Sequence, residues 1–242
     1  MLVKLGDNNK DVKAVQEWLC YNKISVVIDS DFGPATKAGV KKFQSSKNTG
    51  NLIIPVTGVV DDTTWAFLNY PIDFLKQLPV VSLRATLAET IVNNAFRHYV
   101  VKPIEIGGQN MGPFVRFYMR GLEGDAEPWC AGSASTVVLQ SYEALGIPHD
   151  KFNYQVGCSA LYADAKKYGT LVKVPTPGCL FLCYTPGMES HCYHVGIVTS
   201  ADISGGTIHT TEGNTNDSGS REGFEYVPRI RSLTNKHFIK LG

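Results

Sequence analysis

Three short stretches near the start of the chain repeat apolar residues at helical spacing. Residues 11–19 place their apolar side chains on one face, and residues 34–47 do the same after a Gly-Pro start. A third stretch opens with Asp and Thr residues at 61–64, a pattern that caps the N-terminus of a helix. Together they predict a small three-helix bundle over residues 1–70, followed by a linker over residues 71–81.

A longer amphipathic pattern follows the linker. Between residues 82 and 98 apolar side chains recur every four positions, which predicts a helix with one apolar face. These side chains are Leu83, Leu87, Ile91 and Ala95. Two further helices are predicted over residues 113–122 and 131–145, and Gly146 is placed to end the second of them.

Beyond Gly169 the pattern changes to short β-rich runs separated by Gly, Pro, Ser and Asn. The runs cover residues 170–174, 179–184, 194–199, 207–212 and 224–227. Helices followed by a series of strands indicate an α+β domain over residues 82–242, with helices packed on a mainly antiparallel sheet.

Composition narrows the possible classes of function. The chain has 242 residues and a formal net charge of +1, which argues against a nucleic-acid partner. Its apolar runs are far shorter than a membrane-spanning helix requires, and its first residues lack the hydrophobic core of a signal peptide. We therefore expect synthesis in the cytoplasm without a signal peptide, no membrane span, and six cysteines in the thiol form.

The N-terminal segment resembles the type 1 peptidoglycan-binding domain. The resemblance rests on residues 5–19, 28–36, 40–44 and 57–65, which occur in the order of that family. Ser30, where the family usually has Gly, and a longer stretch over residues 48–55 are departures. The resemblance implies binding to the bacterial cell wall. We expect Phe32, Phe43 and Trp65 to form the core of the bundle.

Cys130 is the strongest candidate nucleophile. It lies at the predicted start of the helix over residues 131–145. Unpaired backbone N–H groups and the helix dipole stabilise a thiolate at such a position, and the thiolate is the reactive form of cysteine.

Two β-rich runs supply possible partners for this thiol. His194 lies on one strand, and alternation places Ile208, Thr210, Glu212 and Asn214 on one face of another. If these strands are neighbours and pack against the helix, Cys130, His194 and Glu212 can act as nucleophile, base and orienting acid.

The sequences around these residues resemble the CHAP family, the cysteine- and histidine-dependent amidohydrolase/peptidases of cell-wall turnover. The match spans residues 82–232 and includes weaker likenesses at residues 105–110 and 220–223. It implies a papain-like (NlpC/P60-like) fold, Cys130 as nucleophile, His194 as general base and Glu212 as the acid that orients it. Asn214 corresponds to a supporting polar residue. Trp129 and Asn110 are the expected substrate contacts.

Together, the two resemblances predict that the protein is an endolysin-like peptidoglycan hydrolase that acts as a monomer. It cleaves either the N-acetylmuramoyl-L-alanine amide or a peptide cross-bridge. A secreted cell-wall toxin of the same chemistry and a non-catalytic peptidoglycan-binding protein remain alternatives. No cofactor is expected.

Two metal sites are weaker possibilities. The acids Glu123, Asp125 and Glu127 precede Cys130, and carboxylates at alternate positions suit calcium. A second group of thiols and imidazoles suits zinc but lies on predicted strands, where chelation is difficult. Its members are Cys179, Cys183, His191, Cys192 and His194.

Overall fold

The computed structural model describes residues 2–49, 53–216 and 223–242. Within them the helices are α1 (Lys10–Tyr21), α2 (Pro34–Lys47), α3 (Asp62–Lys76), α4 (Leu87–Val100), α5 (Pro113–Tyr118), α6 (Cys130–Leu145) and α7 (Cys158–Tyr168). The strands are β1 (Leu171–Val172), β2 (Leu180–Thr185), β3 (Met188–Asp202), β4 (Thr207–Thr215), β5 (Glu225–Ser232) and β6 (Lys236–Ile239). Parts of the segments 48–55 and 220–223, on which the family resemblances drew, lie outside the described residues.

The first three helices confirm the predicted N-terminal bundle. The side chain of Asn9 caps α1, and Asp61 caps α3 by accepting a hydrogen bond from the backbone N–H of Thr64. Phe32 and Phe43 are wholly buried in its core, whereas Trp65 is only partly buried against it.

Helix α3 continues past the point where the linker was predicted to begin. Pro71 lies inside the helix, which ends only after Lys76. A proline in a helix interior removes one backbone hydrogen bond and disfavours the preceding turn. Here Leu68 before the proline and Ile72 and Leu75 after it are buried, and their packing offsets that cost. The first half of the predicted linker is therefore helical.

Helix α4 begins later than its apolar spacing predicted. The side chain of Thr86 accepts a hydrogen bond from the backbone N–H of Glu89, and the Glu89 carboxylate accepts one from that of Thr86. This capping box fixes the helix start at Leu87. Leu83, which was assigned to the apolar face, is fully exposed.

The six described strands form one antiparallel sheet in the order β1-β6-β2-β3-β4-β5. All five predicted β-rich runs contain a strand, which confirms the α+β prediction, although β3 and β5 extend well beyond them. Helix α7 and strand β6 were not predicted. Helix α5 ends at Tyr118, four residues earlier than expected.

Helices cover one face of this sheet. Helix α6 packs against β3 and β4, and α7 packs against β3. Leu180 and Leu182 join the core beneath these helices, while Phe181 between them joins a smaller cluster with Val198. Strand β2 is thus buried on both faces.

The N-terminal bundle and the α+β part share one hydrophobic core. The rings of Trp18 and Phe114 meet edge to face with centroids 5.5 Å apart. Beside them the buried Glu17 carboxylate forms two hydrogen bonds with Arg116, which also bonds Glu123 at 2.6 Å. Apolar packing and a cluster of charged side chains therefore join the bundle to the α+β part, in addition to the covalent connection.

Replacing Arg116 with alanine should lower the free energy of unfolding by about 2–3 kcal/mol, because it removes both hydrogen bonds to the buried Glu17 carboxylate and leaves only the 3.7 Å ion pair with Lys13. Lys76→Ala is the matched control, since its ion pair with Asp73 is exposed and 3.9 Å long, and should cost at most about 0.5 kcal/mol. Urea unfolding measures both changes. Equal losses in the two variants would contradict this account of the junction.

Candidate active site

Cys130 is the first residue of α6, as the sequence predicted within one position. Only 3% of its surface is exposed. The first backbone N–H groups of a helix have no partner within the helix, so they and the helix dipole favour negative charge on the sulfur. The low local polarity strengthens these interactions.

His194 on β3 and Glu212 on β4 form a buried pair. Nε2 of His194 lies 2.8 Å from Oε2 of Glu212, and both side chains are almost wholly enclosed. Glu212 also accepts hydrogen bonds from Thr210 Oγ1 at 2.5 Å and from Arg231 Nε at 2.9 Å. The carboxylate therefore fixes the orientation of the imidazole, while its own charge is compensated from β5.

These contacts determine the charge of Glu212. Burial raises the pKa of the carboxyl group, but the hydrogen bonds and charges of Arg231 and His194 outweigh it and lower the pKa to about 2. Glu212 is therefore ionised at neutral pH.

The thiol and the imidazole shift each other's pKa. The contact with Cys158 and the interaction with His194 bring the pKa of Cys130 well below its usual value, against the effect of burial. Burial lowers the pKa of His194, but Cys130 and Glu212 raise it to about 9. Glu212 binds Nε2 of His194, and the buried Nδ1 has no partner among the described residues other than the Cys130 sulfur, so Nδ1 is the nitrogen that can exchange a proton with the thiol. The arrangement favours a thiolate and an imidazolium.

Two glycines allow close packing at the site, Gly213 between β4 and the start of α6 and Gly196 between β3 and the Glu212 side chain. A Cβ atom at Gly213 would lie 2.4 Å from Oγ of Ser133, and one at Gly196 would lie 2.6 Å from Cγ of Glu212. Neither site has room for a side chain. The sequence carries glycine where β4 contacts α6 and where β3 passes Glu212.

The expected substrate contacts are buried. Trp129 is wholly enclosed, stacks on Tyr118 at 5.5 Å and donates a hydrogen bond to Glu105. Asn110 is 2% exposed, and its amide bonds the backbone oxygen of Asp125. Their burial gives no support to substrate binding by either side chain, and both hold the segments that lead into α6.

Asn214 is buried near the end of β4, with a backbone φ of 54°. The register of β4 with β5 shifts between Glu212 and Thr215. The strict alternation that predicted Asn214 on the same face as Glu212 therefore does not extend to it.

Three residues at this site were not predicted. Thr210 and Arg231 bind the Glu212 carboxylate, and the Cys158 sulfur lies 3.6 Å from that of Cys130. Strand alternation placed Thr210 on the same face as Glu212, so the sequence did carry a signal that Thr210 could contact the carboxylate. Arg231 and Cys158 had no such signal, since they reach the site only through strand pairing and helix packing.

Neither candidate metal site is formed within residues 2–49, 53–216 and 223–242. No three His, Cys, Asp or Glu side chains there converge in a way that could hold a metal ion. Glu123, the first of the acidic cluster, instead pairs with Lys13 and Arg116.

Comparison with known proteins assigns the N-terminal part. Residues 8–68 match the family described as "Putative peptidoglycan binding domain". This region coincides with the three-helix bundle and supports peptidoglycan as a partner. No curated protein matches the chain. In the described residues, no helix is long and apolar enough to cross a membrane.

A solved structure shows a slight likeness. The crystal structure of the Burkholderia AP3 phage endolysin is 20% identical in sequence and aligns with a TM-score of 0.27. The match covers 70% of this chain and 62% of the endolysin chain.

Thermal stability should depend on pH in two windows. Glu212 has a lowered pKa, so its contribution is present above the ordinary value of 4.5 and is lost as pH falls towards about 2. His194 has a raised pKa, so its contribution is complete below the ordinary value of 6.5 and is lost as pH rises through about 9. Cys130 has a lowered pKa and has given up the proton that His194 keeps, so the gain at the thiolate offsets the loss at His194 between about pH 6.5 and 9, and we expect the melting temperature to be highest in that window. A maximum above pH 9 would contradict these assignments.

Proposed function

We propose that the protein is an endolysin-like peptidoglycan hydrolase of the CHAP type, with a papain-like catalytic domain. It cleaves an amide bond of the cell-wall peptide by cysteine-dependent acyl transfer. One observation carries the proposal: an imidazole oriented by a buried carboxylate lies beside a thiol at the start of α6. The peptidoglycan-binding domain supplies the substrate class.

Before the first step, the proton of the Cys130 thiol has moved to His194, so the reacting form is a thiolate beside an imidazolium. The thiolate attacks the amide carbonyl carbon, and the C–O double bond becomes a single bond with its charge on oxygen. Backbone N–H groups in the first turn of α6, including that of Cys130, are placed to bind this oxyanion. Glu212 keeps His194 oriented and stabilises its positive charge.

In the second step, His194 donates its proton to the leaving nitrogen and the C–N bond breaks. An acyl thioester on Cys130 and a free amine result. Water then attacks the thioester carbonyl while His194 accepts a proton, and the Cys130 thiolate leaves. The products are a carboxylic acid and an amine, and the ion pair is restored.

The N-terminal domain holds the enzyme on its insoluble substrate. The shared core and the Glu17–Arg116 pair fix this domain against the catalytic part. Binding to the wall therefore raises the local concentration of substrate at Cys130. The same triad can cut the N-acetylmuramoyl-L-alanine amide or a cross-bridge peptide bond.

Digestion of purified peptidoglycan tests this function and identifies the bond. The expected result is clearing of a turbid suspension with release of new amino ends. Mass spectrometry of the fragments distinguishes free glycan strands, which an amidase leaves, from opened cross-links, which an endopeptidase leaves. Retention of the protein on intact peptidoglycan, with no new amine, would instead identify a non-catalytic binding protein.

A further inference from the structure

A second thiol lies against the proposed nucleophile. Sγ of Cys158 is 3.6 Å from Sγ of Cys130, and both residues are buried. Cys158 is the first residue of α7, just as Cys130 is the first residue of α6. The N-terminal ends of two helices therefore meet at one pair of sulfurs.

The position of Cys158 is fixed by the sheet. The hydroxyl of Ser159 accepts a hydrogen bond from the backbone N–H of Cys192 at 3.1 Å and donates one to the Cys192 carbonyl at 3.3 Å. These two bonds attach the first turn of α7 to β3, the strand that carries His194. The sulfur of Cys158 is thereby held beside Cys130.

We propose that Cys158 is a positioning residue of the active site, whose S–H donates a hydrogen bond to the Cys130 thiolate. The inference rests on the proposed function, because it assigns the ionised state to Cys130. Of the two thiols, Cys130 is the one that interacts with His194, so the proton stays on Cys158. A donor hydrogen bond stabilises the charged form of its acceptor.

Cys130 has two further donors, the His194 imidazolium and the backbone N–H of Val195 on β3, so Cys158 adds a third hydrogen bond to the thiolate. His194 faces Cys130 from β3, and Cys183 and Cys192 face Cys158 from β2 and β3. Burial raises the pKa of each of these two further thiols, so they stay neutral. The charges of Lys236, Arg231 and Glu212 act on Cys183, and Glu212 also binds His194.

The test is the pH dependence of Cys130 alkylation by iodoacetamide, followed by mass spectrometry of the Cys130 peptide. Cys158→Ala should raise the apparent pKa of Cys130 by about one unit, which lowers the alkylation rate roughly tenfold on the acidic side of the profile. Cys158→Ser keeps a donor and should restore most of the rate. Cys179→Ala, a buried thiol in another cluster, is the matched control and should leave the profile unchanged.

Coincident profiles for Cys158→Ala and the wild type would overturn the proposal. Equal shifts in the Ala and Ser variants would also overturn it, since they would indicate lost packing and not a lost donor. Alkylation needs no peptidoglycan. A protein that shows the expected shift but cuts no cell wall would therefore refute the proposed function and leave the thiol pair intact.

A measurement on the wild type covers the case in which the variants fail to fold. Hydrogen peroxide should convert the Cys130 thiolate to a sulfenic acid, with the O–O bond broken and hydroxide released. The Cys158 thiol then attacks that sulfur, water leaves, and a Cys130–Cys158 disulfide forms. Dithiothreitol should return both thiols. Recovery of Cys130 in any other state, such as a sulfinic acid beside a free Cys158 thiol, would contradict the contact.

Discussion

Cys130→Ala should reduce the rate of peptidoglycan cleavage by about 1,000-fold or more, since it removes the only proposed site for the acyl intermediate. The substitution deletes one sulfur from the first turn of α6 and introduces alanine, which is a strong helix former. Folding and attachment to peptidoglycan should therefore persist. Turbidity clearing measures the first effect, and co-sedimentation with insoluble peptidoglycan measures the second.

Cys20→Ala is the control for this substitution. Cys20 lies in α1, in the N-terminal bundle, and its sulfur contacts only the backbone oxygen of Val26 among the bonds described. Its loss should leave cleavage within about twofold of the wild type. If Cys130→Ala clears peptidoglycan as fast as Cys20→Ala does, the proposed cysteine chemistry is wrong.

Glu212→Gln should affect both activity and stability. The amide cannot carry the charge that Thr210, Arg231 and His194 surround, and its N–H2 group faces other donors. We expect cleavage to fall by about 100-fold to 10,000-fold, because His194 loses its orientation and the stabilisation of its positive charge. The free energy of unfolding should fall by about 3 kcal/mol, since Arg231 loses a buried partner.

Glu89→Gln provides a matched control for the glutamate replacement. Glu89 lies in the exposed capping box of α4, and glutamine can make the same contact to the backbone of Thr86. Cleavage should be unchanged and stability nearly so. If the two variants lose activity equally, Glu212 does not act on the imidazole.

Local sequence patterns predicted the elements whose ends are fixed by nearby residues. Helix α2 covers the predicted residues 34–47, because Gly33-Pro34 sets its start and its apolar spacing is regular. The extension of α3 through Pro71 depends on the packing of Ile72 and Leu75 in the core. The spacing of apolar residues does not show whether that packing is enough to offset the cost of a proline inside a helix. Strand β6 is four residues long and is defined by its pairing with β2.

The residues of the candidate site also fall into those that local sequence patterns indicate and those that only tertiary packing brings to the site. Cys130, His194 and Glu212 each lie in a local pattern, a helix start or a β-rich run, that indicates chemistry from the sequence. Arg231 and Cys158 do not. Arg231 reaches Glu212 because β5 pairs with β4, and Cys158 reaches Cys130 because α7 is attached to β3. Such partners are determined by tertiary packing.

Nitrogen-15 NMR of the histidine side chains tests the central claim most directly, because it reports the charge of each imidazole. His98 is an internal control: it is buried between Tyr118 and Gln140, and burial lowers its pKa to about 3, so it should be neutral throughout. At pH 7.5 we expect His194 to be a doubly protonated imidazolium that titrates near pH 9, and to lose that proton at lower pH in Cys130→Ala. A neutral His194 at pH 7.5, or a titration unchanged by removal of the Cys130 sulfur, would contradict the thiolate–imidazolium pair.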